Sequence, residues 1–152
     1  MDFNLTEEQL MIQRMAKEFT EREIEPRVTE MEREQKIAPD LITKMGQVGL
    51  LGMVVPRKYG GTEAGALSLI LALEQVGYSG SGAFMLLLLN NGIPELIAKH
   101  GSEPAKQKYI RPLCEGKVYG GVQFTEPDTG SDPRMLVTTA IPHGDNLSLI
   151  HI

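Results

Sequence analysis

Tryptophan is absent from this 152-residue sequence, cysteine occurs once, and aromatic residues make up only 5%. The single cysteine, Cys114, excludes an intramolecular disulfide and any cysteine cluster for a metal. Buried filler is its expected role. His100, His143 and His151 lack neighbouring ligands at metal-binding spacing, so no metal site is expected. No apolar run reaches membrane-span length; the longest, Ala83 to Leu89, is far too short. The opening Met1-Asp2-Phe3-Asn4-Leu5 carries neither a basic-then-apolar leader nor an Arg-rich transit segment, and the expected location is cytoplasmic. A net charge of -5 argues against a nucleic-acid partner. The glycines at Gly60-Gly61 and from Gly77 to Gly82 do not form a G-x-G-x-x-G between strand and helix, which argues against a nicotinamide cofactor.

What remains is an ordinary globular composition, 41% hydrophobic and 23% charged, in a length that suits one compact domain. Thr6-Glu7-Glu8-Gln9 has the form of a capping box. Behind it Met11, Ile12, Met15, Ala16 and Phe19 recur on one helical face, with Arg14, Lys17, Glu18 and Glu21 opposite. Glu25-Pro26 should break or kink this helix, because proline has no N–H to donate and restrains the residue before it. Val28 and Met31 carry a further helical turn or two to about Gln35. Pro39 opens a helix with Leu41, Ile42, Met45 and Val48 inside and Gly49 at its end. Leu50 to Val55 is short and apolar and leads into a turn at Pro56 to Gly61. Ala66 to Val76 reads as a helix closed by Gly77, followed by a flexible break at Ser79 to Gly82. Ala83 to Lys99 is apolar on nearly all sides and predicts a buried helix, with Gly92-Ile93-Pro94 as the place for an interruption. Ser102 caps a last helix begun by Glu103, Pro104 and Ala105, with Tyr109, Ile110 and Leu113 on its inner face.

From Val118 the period changes to 2. Val118 to Phe124, Leu136 to Ile141 and Leu147 to Ile152 suit strands, the last two joined by a turn at His143-Gly144-Asp145-Asn146. The expected fold class is mainly α: a helical domain over residues 1–116, then the start of a β domain over 117–152. A lone hairpin is marginal in water, so these strands read as the opening of a larger, incomplete β unit.

The densest cluster of turn-forming and hydroxyl residues is Phe124-Thr125-Glu126-Pro127-Asp128-Thr129-Gly130-Ser131-Asp132. Such a loop can turn sharply and present hydroxyls and backbone N–H groups to one ligand. It resembles the T-E-P-x-x-G-S-D signature of the acyl-CoA dehydrogenase family. Three further stretches resemble that family in the right order: Leu5-Thr6-Glu7-Glu8-Gln9; Gly49-Leu50-Leu51-Gly52 through Tyr59-Gly60-Gly61; and His100-Gly101-Ser102-Glu103 through Tyr109, with Leu113-Cys114-Glu115-Gly116 behind it. Arg57-Lys58 stand where the family pattern commonly has acids.

The resemblance implies an acyl-CoA dehydrogenase N-terminal-like helical bundle followed by the first strands of a truncated, β-barrel-like middle domain. It implies FAD as cofactor, an acyl-CoA as substrate, an electron-transfer flavoprotein as electron acceptor, and a homo-oligomer when intact. By the same resemblance Val122, Phe124, Thr125, Gly130 and Ser131 approach the flavin, and Ser131 also reaches the acyl-CoA. Ala83, Phe84, Leu87 and Asn91, on one helical face, would line the acyl-chain cavity; plain core packing is the equal alternative for them. Glu126 and Asp132 are not assigned as catalytic acids. The family's catalytic glutamate and a tryptophan-containing flavin segment fall beyond Ile152 in its pattern, so the chain taken alone is expected to be inactive. A non-enzymatic helical module that packs against another chain is the rival reading.

Overall fold

The computed structural model describes residues 4–144 and 146–150. Its contacts divide into two units, Met1–Gly121 and Val122–Ile152. The first is helical: α1 (Glu7–Phe19), α2 (Val28–Glu34), α3 (Asp40–Gln47), α4 (Ala66–Gly77), α5 (Ala83–His100) and α6 (Glu103–Cys114). The second holds an antiparallel hairpin, β1 (Thr139–His143) and β2 (Asn146–Ile150), with Thr139 opposite Ile150 and His143 opposite Asn146. The fold is thus mainly helical, with β structure at its C-terminal end.

Local chemistry sets the helix ends as the sequence predicts. Thr6 and Gln9 form the reciprocal capping box, with Gln9 N–H on the Thr6 hydroxyl at 3.2 Å and Thr6 N–H on Gln9 Oε1 at 2.9 Å. α3 ends in a Schellman motif: Leu50 N–H returns to the Met45 carbonyl and Gly49 N–H to Gly46. Gly49 takes φ of +77°, which its lack of Cβ permits. Ser102 caps α6 through the Ala105 N–H.

Pro26 interrupts α1 without stopping the chain. A π turn (Thr20–Ile24) widens the coil ahead of the proline and a 3-10 turn (Glu25–Arg27) carries it, so the backbone stays helical into α2. The interruption predicted near Pro94 does not occur: α5 runs unbroken to His100. Pro94 cannot donate to Asn90, four residues back. The Gly52 N–H takes that carbonyl instead, at 3.3 Å.

One apolar core joins α1, α3, α4, α5 and the stretch Leu50–Met53, with Ala16, Leu41, Met45, Leu50, Val76 and Leu87 fully enclosed. A smaller cluster of Val55, Ile110 and Cys114 lies under α6. Three expectations about faces need correction. Met11 is 57% exposed, since the buried stripe of α1 is Ile12, Ala16 and Phe19. Tyr109 is 46% exposed, because Ile110, Leu113 and Cys114 form the inward row of α6 and Tyr109 sits one residue off it. α5 is not buried all round: Met85, Leu88 and Leu96 face outward.

The strand predicted over Val118–Phe124 is also absent; this segment is irregular. Among the described residues no strand pairs with its backbone. β1 starts at Thr139 rather than Leu136. Of the predicted last turn and strand, Asp145, His151 and Ile152 lie outside the described residues.

Two glycines, Gly52 of the recognised motif and Gly46 of α3, act where chain segments cross. A Cβ on Gly52 would stand within 2.4 Å of Cys114 Sγ, and one on Gly46 within 2.5 Å of the Glu115 carbonyl oxygen. The stretch Gly46–Gly61 and the stretch Leu113–Gly116 therefore pack through small residues.

Candidate functional site

The loop Thr125–Asp132 is held by its own backbone and acids. Glu126 and Thr129 exchange backbone hydrogen bonds at 2.9 and 3.2 Å, closing a tight turn on Pro127-Asp128. The Glu126 carboxylate accepts from the N–H groups of Val137 and Thr138 at 2.8 and 3.0 Å, which ties the loop to the segment leading into β1. Asp132 accepts from the Arg134 backbone and guanidinium, at 2.8 to 3.1 Å. Arg134 holds the Asp132 carboxyl below its ordinary range. Both acids anchor the loop.

Thr125 and Ser131 differ from these acids. Both are exposed, and among the described residues neither side-chain hydroxyl has a hydrogen-bond partner. Gly130 packs on Thr125; a Cβ there would lie 3.5 Å from Thr125 Cγ2. Val122 and Phe124 are exposed apolar residues on the approach to the loop. The unit thus brings Thr125 and Gly130 together and leaves two hydroxyls and two apolar side chains open. A hydroxyl both donates and accepts hydrogen bonds, and among the described residues nothing in the loop's own bonding engages these two.

In the helical unit, Ala83, Leu87 and Asn91 are fully buried, and Phe84 is half-buried against the same core. Sequence reasoning missed what Asn90 and Asn91 do. Asn91 Nδ2 donates to the Leu50 and Leu87 carbonyls at 2.9 and 2.8 Å, and its Oδ1 accepts from Met53 N–H at 2.6 Å. Asn90 Nδ2 donates to the Leu113 and Val118 carbonyls, both at 2.9 Å, and its Oδ1 accepts from Gly120 N–H at 2.9 Å. The adjacent amides clamp two irregular segments to α5. The available signal was two asparagines inside an apolar helix, since buried amides must find partners.

A groove of about 440 Å³ lies between α1 and residues 48–64, with Met11, Ile12, Met15 and Met53 in its lining and Glu8 and Arg57 among its charged groups. Cys114 is buried, and burial pushes its thiol up to about 11, so it is no nucleophile at neutral pH. Among the described residues no group of three potential ligands could hold a metal, and no helix is long and apolar enough to cross a membrane. His143 lies exposed in β1, and His151 is outside the described residues.

The sequence model of the family described as acyl-CoA dehydrogenase, N-terminal domain, matches residues 6–117. The chain belongs to this family. A relative named short-chain specific acyl-CoA dehydrogenase, from Clostridium acetobutylicum, is 36% identical over 96% of this chain and 39% of its own length. The acryloyl-CoA reductase (NADH) of Anaerotignum propionicum is 35% identical over 93% of this chain and 36% of its own. Butyryl-CoA dehydrogenase from Megasphaera elsdenii superposes with a TM-score of 0.85 at 32% identity, over 98% of this chain and 40% of that one. A chain from the structure of the electron transferring flavoprotein of Acidaminococcus fermentans gives 0.88 at 40% identity, over 98% and 40%. This acyl-CoA dehydrogenase N-terminal domain and the segment after it span about two fifths of the curated relatives they match.

Proposed function

We propose that this chain supplies the N-terminal helical part and the first flavin-contacting loop of an FAD-dependent enzyme that interconverts saturated and α,β-unsaturated acyl-CoA thioesters. The observation that carries the proposal is the Thr125–Asp132 loop. It resembles the family's signature, follows a helical unit of that family, and leaves the hydroxyls of Thr125 and Ser131 without a partner among the described residues. Thr125 would hydrogen-bond the flavin, and Ser131 both flavin and thioester. Val122 and Phe124 would give apolar surface to the ring, and Gly130 room for its approach. FAD, when bound, supplies the hydride acceptor. This chain's part is to fix the substrate Cα–Cβ bond against it and exclude water. No residue of this chain is proposed as the catalytic base.

Phe84 retains side-chain surface for an acyl chain, whereas Ala83, Leu87 and Asn91 would act by setting the position of α5. A soluble cytoplasmic homo-oligomer passing electrons to an electron-transfer flavoprotein completes the proposal. Its support is the resemblance and the family membership. Oriented contacts from several walls are needed to offset a flavin's lost freedom, so the chain alone is expected to be inactive. The test assays turnover of an acyl-CoA panel with FAD and an artificial acceptor, in two samples. The chain alone should match the no-protein blank. A chimera joining it to the remainder of the Clostridium acetobutylicum relative should bind flavin and turn over. Flavin-free, well-folded chimera would favour a helical interaction module.

A further inference from the structure

We propose that the surface pocket formed by Lys58, Tyr59, Lys106, Gln107 and Arg111 binds a small phosphorylated anion. The pocket has a volume of about 270 Å³, and all three charged side chains in its lining are cations. The protein as a whole carries -5, so this concentration of positive charge runs against its average. Glu103 neutralises one of these charges, and the remaining excess from Lys58 and the loosely paired Arg111 is what a bound anion would offset.

The acids nearby are already engaged. Glu103 holds Lys106 at 3.0 Å and accepts from the Tyr59 hydroxyl at 3.3 Å. Glu115 keeps Lys117 at 2.6 Å and meets Arg111 only at 3.7 Å. Lys58 has no ion pair among the described residues; its ammonium lies 4.7 Å from the centre of the Tyr59 ring. The Lys106 ammonium is 6.0 Å from that same ring. Only 16% of the Lys106 side chain is exposed, so its ammonium is held in place rather than sweeping through water. The Arg111 stem packs over Gly60, 3.5 Å from where a Cβ would stand.

The Lys58 ammonium, the Arg111 guanidinium fork, the Gln107 amide and the N–H groups that Lys106 does not give to Glu103 form a donor set that suits a tetrahedral oxyanion. The volume suits a phosphate group with a small substituent.

The test titrates the full, 15N-labelled chain with inorganic phosphate and separately with glucose 6-phosphate, at ionic strength held constant with sodium chloride. Saturable amide shifts are expected at residues 57–60 and 103–111. A tighter response to the ester marks a phosphate monoester as the ligand, and an equal response marks free phosphate. The Lys58→Gln variant should bind measurably weaker. Lys58→Gln with Arg111→Gln should lose about tenfold or more in affinity, with the rest of the spectrum unchanged. Shifts reproduced by chloride alone, or wild-type affinity in both variants, would overturn the proposal. Saturation by an oligoglutamate peptide without a response to phosphate would overturn it in favour of an acidic protein surface.

Discussion

The Met53 N–H donates to the side-chain oxygen of Asn91 at 2.6 Å, across 38 residues of sequence. With the Leu50 carbonyl on Asn91 Nδ2 it satisfies both edges of a stretch in which Leu50, Leu51 and Met53 are at most 1% exposed. Buried irregular backbone is tolerated only when its polar groups are paired. Asn91→Ala should therefore destabilise the helical unit by roughly 2–5 kcal/mol, from two orphaned backbone groups. Asn91→Asp should be no better, since a carboxylate cannot donate to Leu50 and its charge would be buried. Urea denaturation of the three proteins decides it. A loss below about 1 kcal/mol would show that the stretch does not depend on this amide.

Cys114 gives a second prediction. Its Sγ occupies the space that a side chain on Gly52 would take, and burial raises the thiol to about 11. Native chain should react with a thiol-specific disulfide reagent only through opening events, so the rate at pH 8 should rise steeply with urea and converge on that of the unfolded chain. Gly52→Ala should free the thiol by prising the two segments apart. Rapid labelling of wild-type protein without denaturant would contradict the packing.

Features governed by neighbours in sequence were legible: the capping box at Thr6, the terminating Gly49 and the Ser102 cap each involve groups within five residues. The clamp by Asn90 and Asn91 was not, because the segments it holds lie 23 to 41 residues away. Val118–Phe124 looked like a strand because alternation is a local property, whereas a strand exists only through its partner. Met11 and Tyr109 were misplaced by one residue, about 100° on a helix. The loop at Thr125–Asp132 was readable as a motif. That its acids anchor backbone, while Thr125 and Ser131 keep hydroxyls without a partner among the described residues, shows only in the fold.

Asp40 supplies a pH-dependent prediction. Hydrogen bonds from Lys44 at 2.9 Å and from Arg27 at 2.8 Å hold its carboxyl well down, at about 2. A depressed carboxylate favours the folded state wherever it is ionised. That contribution is present above the unfolded-state value of about 4 and is lost as pH falls through about 2. The Asp40 side chain is 46% exposed, so solvent screening keeps the effect modest. Asp40→Asn should melt below wild type at pH 7, and the gap should close between about pH 4 and pH 2. A gap independent of pH would assign the loss to packing instead of charge.

The last prediction concerns the hydroxyls of Thr125 and Ser131, and it rests on the proposed flavin-binding role. Neither hydroxyl bonds within the described structure, so removing one leaves no internal group unpaired. In the active chimera each would meet a desolvated ligand atom, and losing it should cost about 1–3 kcal/mol of binding. Thr125→Ala should weaken FAD retention. Ser131→Ala should weaken both FAD retention and acyl-CoA affinity. The melting curve of the flavin-free protein should stay unchanged in both, because the turn is closed by the Glu126–Thr129 backbone pair and the Glu126 carboxylate. Glu126→Gln supplies the contrast: it keeps the hydroxyls but loses charge at the Val137 and Thr138 N–H groups, so it should lower the melting point first. Flavin content, acyl-CoA affinity and apo melting, measured together, separate a ligand contact from a structural turn. Undiminished flavin and acyl-CoA binding in both hydroxyl variants would leave the loop with a structural role only.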